Sequence, residues 1–260
     1  MKNLFFIVPF LFYSILDHSQ LYYDEARASL DNYEHEMVFV EGGTFLMGCT
    51  AENDNDCSFV SKPVHQVTLN SFYIGKYEVT QAQWKAITGK NPSHFKGDSL
   101  PVDQVTWVEM NEFIDKLNAV TGKQYRLPTE AEWEFAARGG NKSNGYMFSG
   151  SNTIHEVAWF RNNSRKTTHP VGTKQPNELG IHDMSGNVKE FCSDYIDYYS
   201  SDSQTNPTGP SSGIGRAARG GYWETREKDM YVWERTFEGS NISNHFLGFR
   251  LAHNASGVVP

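Results

Sequence analysis

The sequence predicts a single loop-rich domain of the α+β class, with about three helices and several short strands. Three observations support this prediction. Three threonines each precede a Glu or Gln by three positions at the start of a helical pattern, which is the capping-box arrangement. Short runs rich in β-branched and aromatic residues occur before the first of these positions. After residue 140 the apolar segments become short and are separated by Asn, Ser, Gly and Pro, so little further helix is expected.

The composition is that of one large folded domain. The chain has 260 residues, of which 38% are hydrophobic and 14% aromatic, which is enough to build a buried core. Its 22 Gly and 10 Pro indicate many turns, so aromatic rings are expected to hold the core between them. The formal net charge is -8 and no run of Lys or Arg stands out, so no nucleic-acid partner is expected.

The predicted strands come first, in segments bounded by turn residues. They lie at residues 37–40, 45–47, 64–69 and 72–77. The three helices follow, each opened by a capping threonine and stopped at glycine. They begin at Thr80, Thr106 and Thr129 and end at Gly89, Gly122 and Gly139. The second helix has the clearest amphipathic pattern, because apolar residues recur at i, i+3, i+4 and i+7 from Met110 to Leu117.

The N-terminus has the order of a secretory signal peptide. Lys2 precedes a largely apolar stretch at residues 4–16, and polar residues follow at 17–20. The apolar stretch is too short to span a bilayer. Residues 1–20 are therefore a predicted signal, with cleavage near Ser19, and the chain is expected to be periplasmic, at the cell surface or secreted. The alternatives are an uncleaved membrane anchor or a buried N-terminal segment. Unless the segment stays uncleaved, we expect no integral membrane protein.

Three cysteines raise the question of a disulfide. An oxidising compartment would allow Cys49 and Cys57 to form a bridge across the acidic loop between them, and would leave Cys192 unpaired. Two free thiols in a loop are the alternative. The nine histidines show no metal-binding spacing, and the sequence assigns no catalytic residue.

The string RLPTEAEWE at residues 126–134 resembles the signature of the formylglycine-generating enzyme family, also called sulfatase-modifying factors. Four further blocks resemble the family in the same order: MVFVEGGTFLMG from Met37, YEVT from Tyr77 with Trp84, GIHDMSGNVKEF from Gly180, and RGG from Arg219 with GFRL from Gly248. The resemblance covers residues 37–253. It implies one domain with a C-type-lectin-like fold that has little regular structure, here with about three helices and short antiparallel strands.

The resemblance implies formylglycine formation only where two cysteines bind copper. The enzymes of the family place a Ser and then two Cys after the block that corresponds to Gly220 and Gly221. Here Tyr222 stands at the Ser position, and residues 223–246 contain no Cys. Soft thiolate ligands select Cu(I), and no other residue in this segment replaces them. We therefore expect no copper and no formylglycine-generating activity.

A calcium site is implied by the resemblance at the GIHDMSGNVKEF block. The family binds calcium at the matching positions through side chains at Asp183 and Glu190 and backbone carbonyls of Gly186 and Val188. In the alternative interpretation, Asp183 caps a turn and Glu190 lies on a solvated face. A second calcium site of the enzymes has no convincing match at residues 159–172.

Residues 222–246 interleave aromatic and charged side chains, which is typical of recognition surfaces. The predicted binding surface for a protein or small-molecule ligand comprises Glu224, Arg226, Tyr231, Trp233, Arg235 and Phe237. Some of these rings could instead fill the core, and that interpretation is favoured for Trp223.

The sequence thus favours an exported binding module of this family. One alternative is an oxidoreductase without the Cys pair, similar to relatives that act in siderophore maturation, with Glu224 and Glu234 as candidate acid/base groups. Another is a structural component of a cell-envelope complex. The variable protein of a diversity-generating retroelement also resembles this fold. Such proteins vary through adenine-directed changes to Asn codons, which do not easily give the residue types at Glu224, Lys228, Met230 and Trp233.

Overall fold

A computed structural model of the chain describes residues 36–50 and 57–255. The predicted signal peptide, residues 1–20, lies outside the described residues. The helices are α1 Gln81–Thr88, α2 Trp107–Thr121, α3 Glu130–Ala137 and the short α4 Ile154–Val157. The strands are β1 Met37–Val40, β2 Gly43–Met47, β3 His65–Leu69, β4 Phe72–Gly75, β5 Lys189–Tyr195, β6 Gln204–Thr205, β7 Arg216–Arg219, β8 Arg235–Glu238, β9 Leu247–Gly248 and β10 Ala252–Asn254. Turns of 3-10 helix lie at Phe59–Ser61, Gly140–Lys142 and Glu227–Asp229.

The three predicted capping boxes are confirmed. Thr80, Thr106 and Thr129 each accept a hydrogen bond from the backbone three residues later, and the Gln or Glu at that position binds back. These reciprocal bonds satisfy amide groups that a helix start otherwise leaves unpaired. α1 and α2 end at glycines in the left-handed region, as predicted. The chain after α3 holds one further short helix among the described residues, in agreement with the expectation of little helix there.

The strands form three small sheets, in the orders β1-β4-β10, β2-β3-β6 and β8-β7-β5-β9. Most neighbours are antiparallel, as predicted, whereas the two-residue strands β6 and β9 pair in parallel with β3 and β5. The six strands after residue 188 were not predicted individually. Five of them have only two to four residues, over which side-chain alternation is not legible, whereas β5 has seven.

Aromatic rings join the elements in the core. The Trp84 ring of α1 stacks on Phe113 of α2 with centroids 5.0 Å apart, and its edge meets Phe249 at 6.1 Å. α3 is buried along its whole length, with Trp133 and Phe135 in a second cluster of core residues. The core therefore depends on rings contributed from distant parts of the chain, as the composition indicated.

The described cysteines have two different environments. Cys49 and Cys57 form a disulfide that links the end of β2 to the segment before the first 3-10 turn. Cys192 is free and buried in β5. Over residues 36–50 and 57–255, none of the helices combines the length and the apolar character that crossing a bilayer requires.

Candidate functional site

α3 carries three buried carboxylates, and each is paired with an arginine. Glu130, Glu132 and Glu134 occur at every second position, which would be costly to bury without partners. The pairs are Glu130 with Arg235, Glu132 with Arg126, and Glu134 with both Arg138 and Arg219. Two of these ion pairs hold α3 against the sheet, because Arg219 lies on β7 and Arg235 lies on β8. These strands form one side of the candidate site.

A cavity of about 400 Å³ opens beside β7 and β8. We call it the Tyr222 cavity. Its lining comprises Ser58, Arg161, Lys189, Ala218, Gly220, Gly221, Tyr222, Glu224, Thr225, Arg226, Asp229, Glu234, Arg235 and Thr236. Its lining includes Gly220 and Gly221 of the RGG block and continues into the segment after them, where the resemblance places the two cysteines of the family enzymes.

Two glycines turn the chain at the base of this cavity. Gly220 and Gly221 have φ of 88° and 70°, a backbone conformation that favours glycine. The turn is tied to the GNV segment, since Gly186 N–H donates to the Gly220 carbonyl over 2.8 Å and Trp223 N–H donates to the Asn187 carbonyl over 3.0 Å. The cavity is therefore anchored to the same segment as the predicted calcium site.

The cavity has mixed charge. Its cations are Arg161, Lys189, Arg226 and the wall residue Arg235, which is paired with Glu130, and its acidic residues are Glu224, Asp229 and Glu234. Arg226 pairs with Asp229 at 2.8 Å, in an exposed arrangement. Burial raises the pKa of Glu234 to about 7, although Arg219 opposes the shift. Near neutral pH, the Glu234 carboxyl is thus able either to donate or to accept a hydrogen bond.

The residue after the glycine pair is held by ring contacts. Tyr222 stacks on Phe246 with centroids 4.5 Å apart, and Lys189 Nζ lies 5.8 Å from the Tyr222 ring centroid. None of the three cysteines of the chain lines the cavity. Oxygen and nitrogen groups are therefore the ligating atoms that its side chains offer.

The structure leaves some residues of the predicted binding surface accessible, whereas others are buried, contrary to the prediction. Glu224 and Arg226 line the cavity, Tyr231 is half-buried, and the ring of Phe237 is 45% exposed. Trp233 and Arg235 are only 3% and 4% exposed; Arg235 contributes to the cavity wall, but neither side chain is displayed to solvent. Their burial has a physical reason.

Trp233 packs into the core cluster of α3, and Arg235 is held by Glu130 on that helix. The Arg235 guanidinium also donates to the carbonyls of Val60 and Asp197 over 3.1 and 2.7 Å. Trp223, for which burial was favoured, is indeed buried.

The residues of the predicted calcium site lie among buried carboxylates. Asp183 is buried with φ of 59°; its Oδ2 accepts from Gly172 N–H at 2.6 Å, while Oδ1 has no hydrogen-bond partner among the described residues. Glu190 accepts from Arg250 Nε and Nη2, both at 2.6 Å, and from Trp133 Nε1 at 2.8 Å. Glu190 is only 1% exposed, so the alternative interpretation that placed it on a solvated face is wrong.

A third carboxylate, Glu78, was not predicted as part of this site. It accepts from Asn187 Nδ2 at 2.7 Å and from Val188 N–H at 3.1 Å. Burial, followed by the charges of Asp183 and Glu190, raises the pKa of Glu78 well above its usual range. One signal in the sequence could have identified Glu78: it is a charged residue between Tyr77 and Val79, in the segment that enters a helix, where side chains are expected to be buried.

The composition of this cluster fits a calcium ion. Arg250 is the cation that the structure places against three buried carboxylates, so the cluster keeps negative charge. The unpartnered Asp183 Oδ1 is a hard oxygen donor, as calcium prefers. Glu190 Oε1 accepts one bond from Arg250, and a carboxylate oxygen retains a second lone pair. Within the described residues, no group of three or more His, Cys, Asp or Glu side chains is arranged to bind a metal ion, so this site would depend on the backbone carbonyls of Gly186 and Val188 for further ligands.

The comparisons with known proteins agree with this architecture. Residues 23–255 match the family model described as the sulfatase-modifying factor enzyme 1-like domain. The chain belongs to this family. The formylglycine-generating enzyme of Thermomonospora curvata is 31% identical, and the match covers 88% of this chain and 97% of the enzyme.

Other members of the family carry different names. The chaperone protein LppX of Paenibacillus barcinonensis is 37% identical, over 72% of this chain and 78% of LppX. The serine/threonine-protein kinase pkn1 of Chlamydia caviae is 30% identical over 84% of this chain, but the match spans only 38% of the kinase. Membership in the family is thus compatible with several activities.

Two solved structures share the fold over most of their length. Treponema denticola variable protein 1 superimposes with a TM-score of 0.77 and 32% identity, covering 84% of this chain and 95% of that protein. PvdO from Pseudomonas aeruginosa gives a TM-score of 0.74 and 25% identity, covering 84% and 94%. The family fold expected from the sequence is therefore confirmed.

Proposed function

We propose that this chain is an exported binding module of the sulfatase-modifying factor family, without formylglycine-generating activity, and that it holds a segment of a partner protein in the Tyr222 cavity. The observation that carries the proposal is the lining of this cavity. It holds four cations, of which Arg235 is paired with Glu130, and three acidic side chains, but no thiol. Such a lining suits recognition of a polypeptide better than the binding of Cu(I).

The partner class follows from the charges and from one relative. A polypeptide segment presents side chains of both signs together with amide groups, which the Tyr222 cavity can pair with its own mixed charges. The protonatable Glu234 adds a group that can donate to a carbonyl or accept from an amide. The similarity to a protein named a chaperone supports a protein partner.

The absence of formylglycine formation can be tested directly. The purified chain is incubated with copper, oxygen and a Cys-x-Pro-x-Arg peptide, with the Thermomonospora curvata enzyme as positive control. Aldehyde is measured by mass spectrometry after hydroxylamine capture. We expect aldehyde only with the control enzyme, and its formation by this chain would overturn the proposal.

Peptide binding can be tested with a phage-displayed library of random peptides. We expect enrichment on the immobilised chain and about tenfold weaker binding of the enriched peptides to the Glu224→Ala/Arg226→Ala double variant. Lys142→Ala, an exposed substitution outside the cavity, is the matched control. No enrichment, or equal binding to the double variant, would contradict the proposed site.

We also propose that calcium binds at Asp183, Glu190 and the carbonyls of Gly186 and Val188 and stabilises the fold. An ion that binds only the folded state raises the melting temperature by mass action, so the transition should occur at higher temperature in about 2 mM calcium than in EDTA. Asp183→Ala should abolish this difference, whereas Asp115→Asn, at an exposed position on α2, should retain it. A wild-type melt that is insensitive to EDTA would overturn the proposal.

Export rests on the N-terminal pattern of the sequence. The test is N-terminal sequencing of the protein from separated cellular fractions. We expect a mature chain that begins near residue 20 and is found outside the cytoplasmic fraction. A full-length N-terminus in the cytoplasmic fraction would contradict this part of the proposal.

A further inference from the structure

A separate cavity of about 660 Å³ lies between the end of β3, α2, the segment that enters α3, and the turn after β6. Four asparagines line it: Asn70, Asn111 and Asn206 come from three of these segments, and Asn254 comes from β10. Hydroxyl groups of Ser and Thr complete its polar lining. We call it the asparagine cavity. Its volume lies within the range of about 300–1,000 Å³ that is typical of sites for small organic ligands.

The single ion pair in its wall is internally satisfied. Arg126 binds both carboxylate oxygens of Glu132 at 2.7 Å. Its remaining donors are used as well, because Nε and Nη2 bind Asn254 Oδ1 at 3.1 and 2.7 Å and Nη1 binds the Leu127 carbonyl at 3.1 Å. A phosphate or carboxylate ligand would have to break these bonds to reach the guanidinium. The cavity therefore presents little net charge to a ligand.

The amide groups, by contrast, are available. Asn206 Nδ2, Asn254 Nδ2 and Asn111 Oδ1 form no hydrogen bond with the described residues, nor does either side-chain atom of Asn70. The Thr208 hydroxyl is likewise without a protein partner in the described part of the chain. These groups supply both donors and acceptors. They are uncharged and come from separate segments that face one space.

We propose that the asparagine cavity binds a neutral oligosaccharide. Each sugar hydroxyl is both a donor and an acceptor, so a set of side-chain amides and hydroxyls pairs with it without any charge. Pro207, which is half-buried, offers an apolar surface to the C–H face of a sugar ring, and Leu69 and Leu127 lie beneath the cavity floor with 5% and 2% exposure. This site is distinct from the Tyr222 cavity, with which it shares no lining residue.

The test uses an array of neutral and anionic oligosaccharides, followed by calorimetric titration with chitotriose, maltotriose and cellotriose. We expect binding of at least one neutral oligosaccharide. Asn70→Ala and Thr208→Val each remove a polar group whose side chain makes no hydrogen bond to the described residues, and each should weaken that binding about fivefold. Asn70→Trp should block the cavity. Asn241→Ala, an exposed substitution of the same kind elsewhere, should leave the affinity unchanged.

Three results would overturn the proposal: no neutral oligosaccharide is bound, anionic oligosaccharides or uncharged peptides bind in preference, or binding is unaffected by Asn70→Trp in a variant that melts like the wild type. The outcome is independent of the Tyr222 cavity. Library peptides should bind Asn70→Trp as well as they bind the wild type, whereas the Glu224→Ala/Arg226→Ala variant should retain saccharide binding.

Discussion

The side-chain amide of Asn187 donates a 2.7 Å hydrogen bond to the carboxylate of Glu78, a residue 109 positions earlier in the chain. Neither residue is accessible to solvent beyond 1%. Asn187 also binds the backbone of His169 on both sides, accepting from its N–H at 2.9 Å and donating to its carbonyl at 3.1 Å. One asparagine thus joins three segments, and it does so with φ of 60°.

We predict that Asn187→Ala destabilises the fold by about 3 kcal/mol. The substitution leaves the buried partners on Glu78 and His169 unpaired, and it places an alanine in the left-handed region without the side-chain hydrogen bonds that compensate asparagine there. Asn187→Gly removes the same bonds but relieves the backbone, so it should cost less than the alanine variant. Urea unfolding of both variants measures the two contributions. Equal losses would show that the backbone conformation contributes nothing.

The buried pair of Arg235 and Glu130 predicts a strong effect of truncation. Arg235→Ala leaves Glu130 buried without its cation, and we expect a loss of about 3–5 kcal/mol in the free energy of unfolding. Arg226→Ala breaks an exposed pair with Asp229 and should cost about 1 kcal/mol or less. Equilibrium unfolding of both variants makes the comparison. Similar costs would contradict the assignment of Arg235 to the core.

The pH dependence of stability should include a contribution from Asp103. Its side chain is buried with Oδ2 unpartnered among the described residues, and burial raises its pKa to about 7 from an ordinary value of 3.8. The folded state therefore binds the proton more tightly, so this contribution is present below pH 3.8 and is lost as the pH rises to about 7. Between pH 5 and 8 the loss should be about 2 kcal/mol.

Asp103→Asn should remove that part of the pH dependence and keep the bond from His94 N–H to Oδ1. The measurement is the free energy of unfolding at pH 5 and pH 8 for the variant and the wild type. Asp115→Asn, on the exposed face of α2, controls for the loss of one negative charge. Parallel curves for wild type and Asp103→Asn would show that Asp103 ionises normally in the folded protein.

The disulfide between Cys49 and Cys57 should stabilise the fold by reducing the conformational entropy of the unfolded chain. For a loop of this length the chain-entropy relation gives about 2–3 kcal/mol. We expect the Cys49→Ser/Cys57→Ser variant to lose that amount in denaturant unfolding, and we expect dithiothreitol to reproduce the loss in the wild type only. If the reductant had no effect on the wild type, the predicted contribution would be absent.

The helices could be predicted because their signals are local. Each capping box lies within four residues, so Thr106 and Glu109 identify a helix start without any knowledge of the rest of the chain. The family resemblance likewise located Asp183 and the Gly220 turn. What it could not assign was the partner of each charge, because Glu130 and Arg235 are 105 positions apart.

The same limit explains the error in the binding surface. An alternation of aromatic and charged residues indicated a displayed surface. Arg235 is instead buried and paired with Glu130, a residue that is distant in sequence and lies beside it only in the folded chain. The asparagine cavity was missed altogether, since its residues come from segments with no shared motif. Short strands such as β9 depend on pairing with β5 rather than on their own propensity, which is why no local pattern marked them.

Among the described residues, the first and last strands both pair with β4. Met37 lies opposite Gly75 and Ala252 lies opposite Ile74, so the two ends of the described chain lie in one small sheet. A host protein could therefore accept this unit between two of its own segments without separating them widely. The match to the kinase of Chlamydia caviae, which spans 38% of that protein, shows that a region similar to this chain occurs within a longer polypeptide.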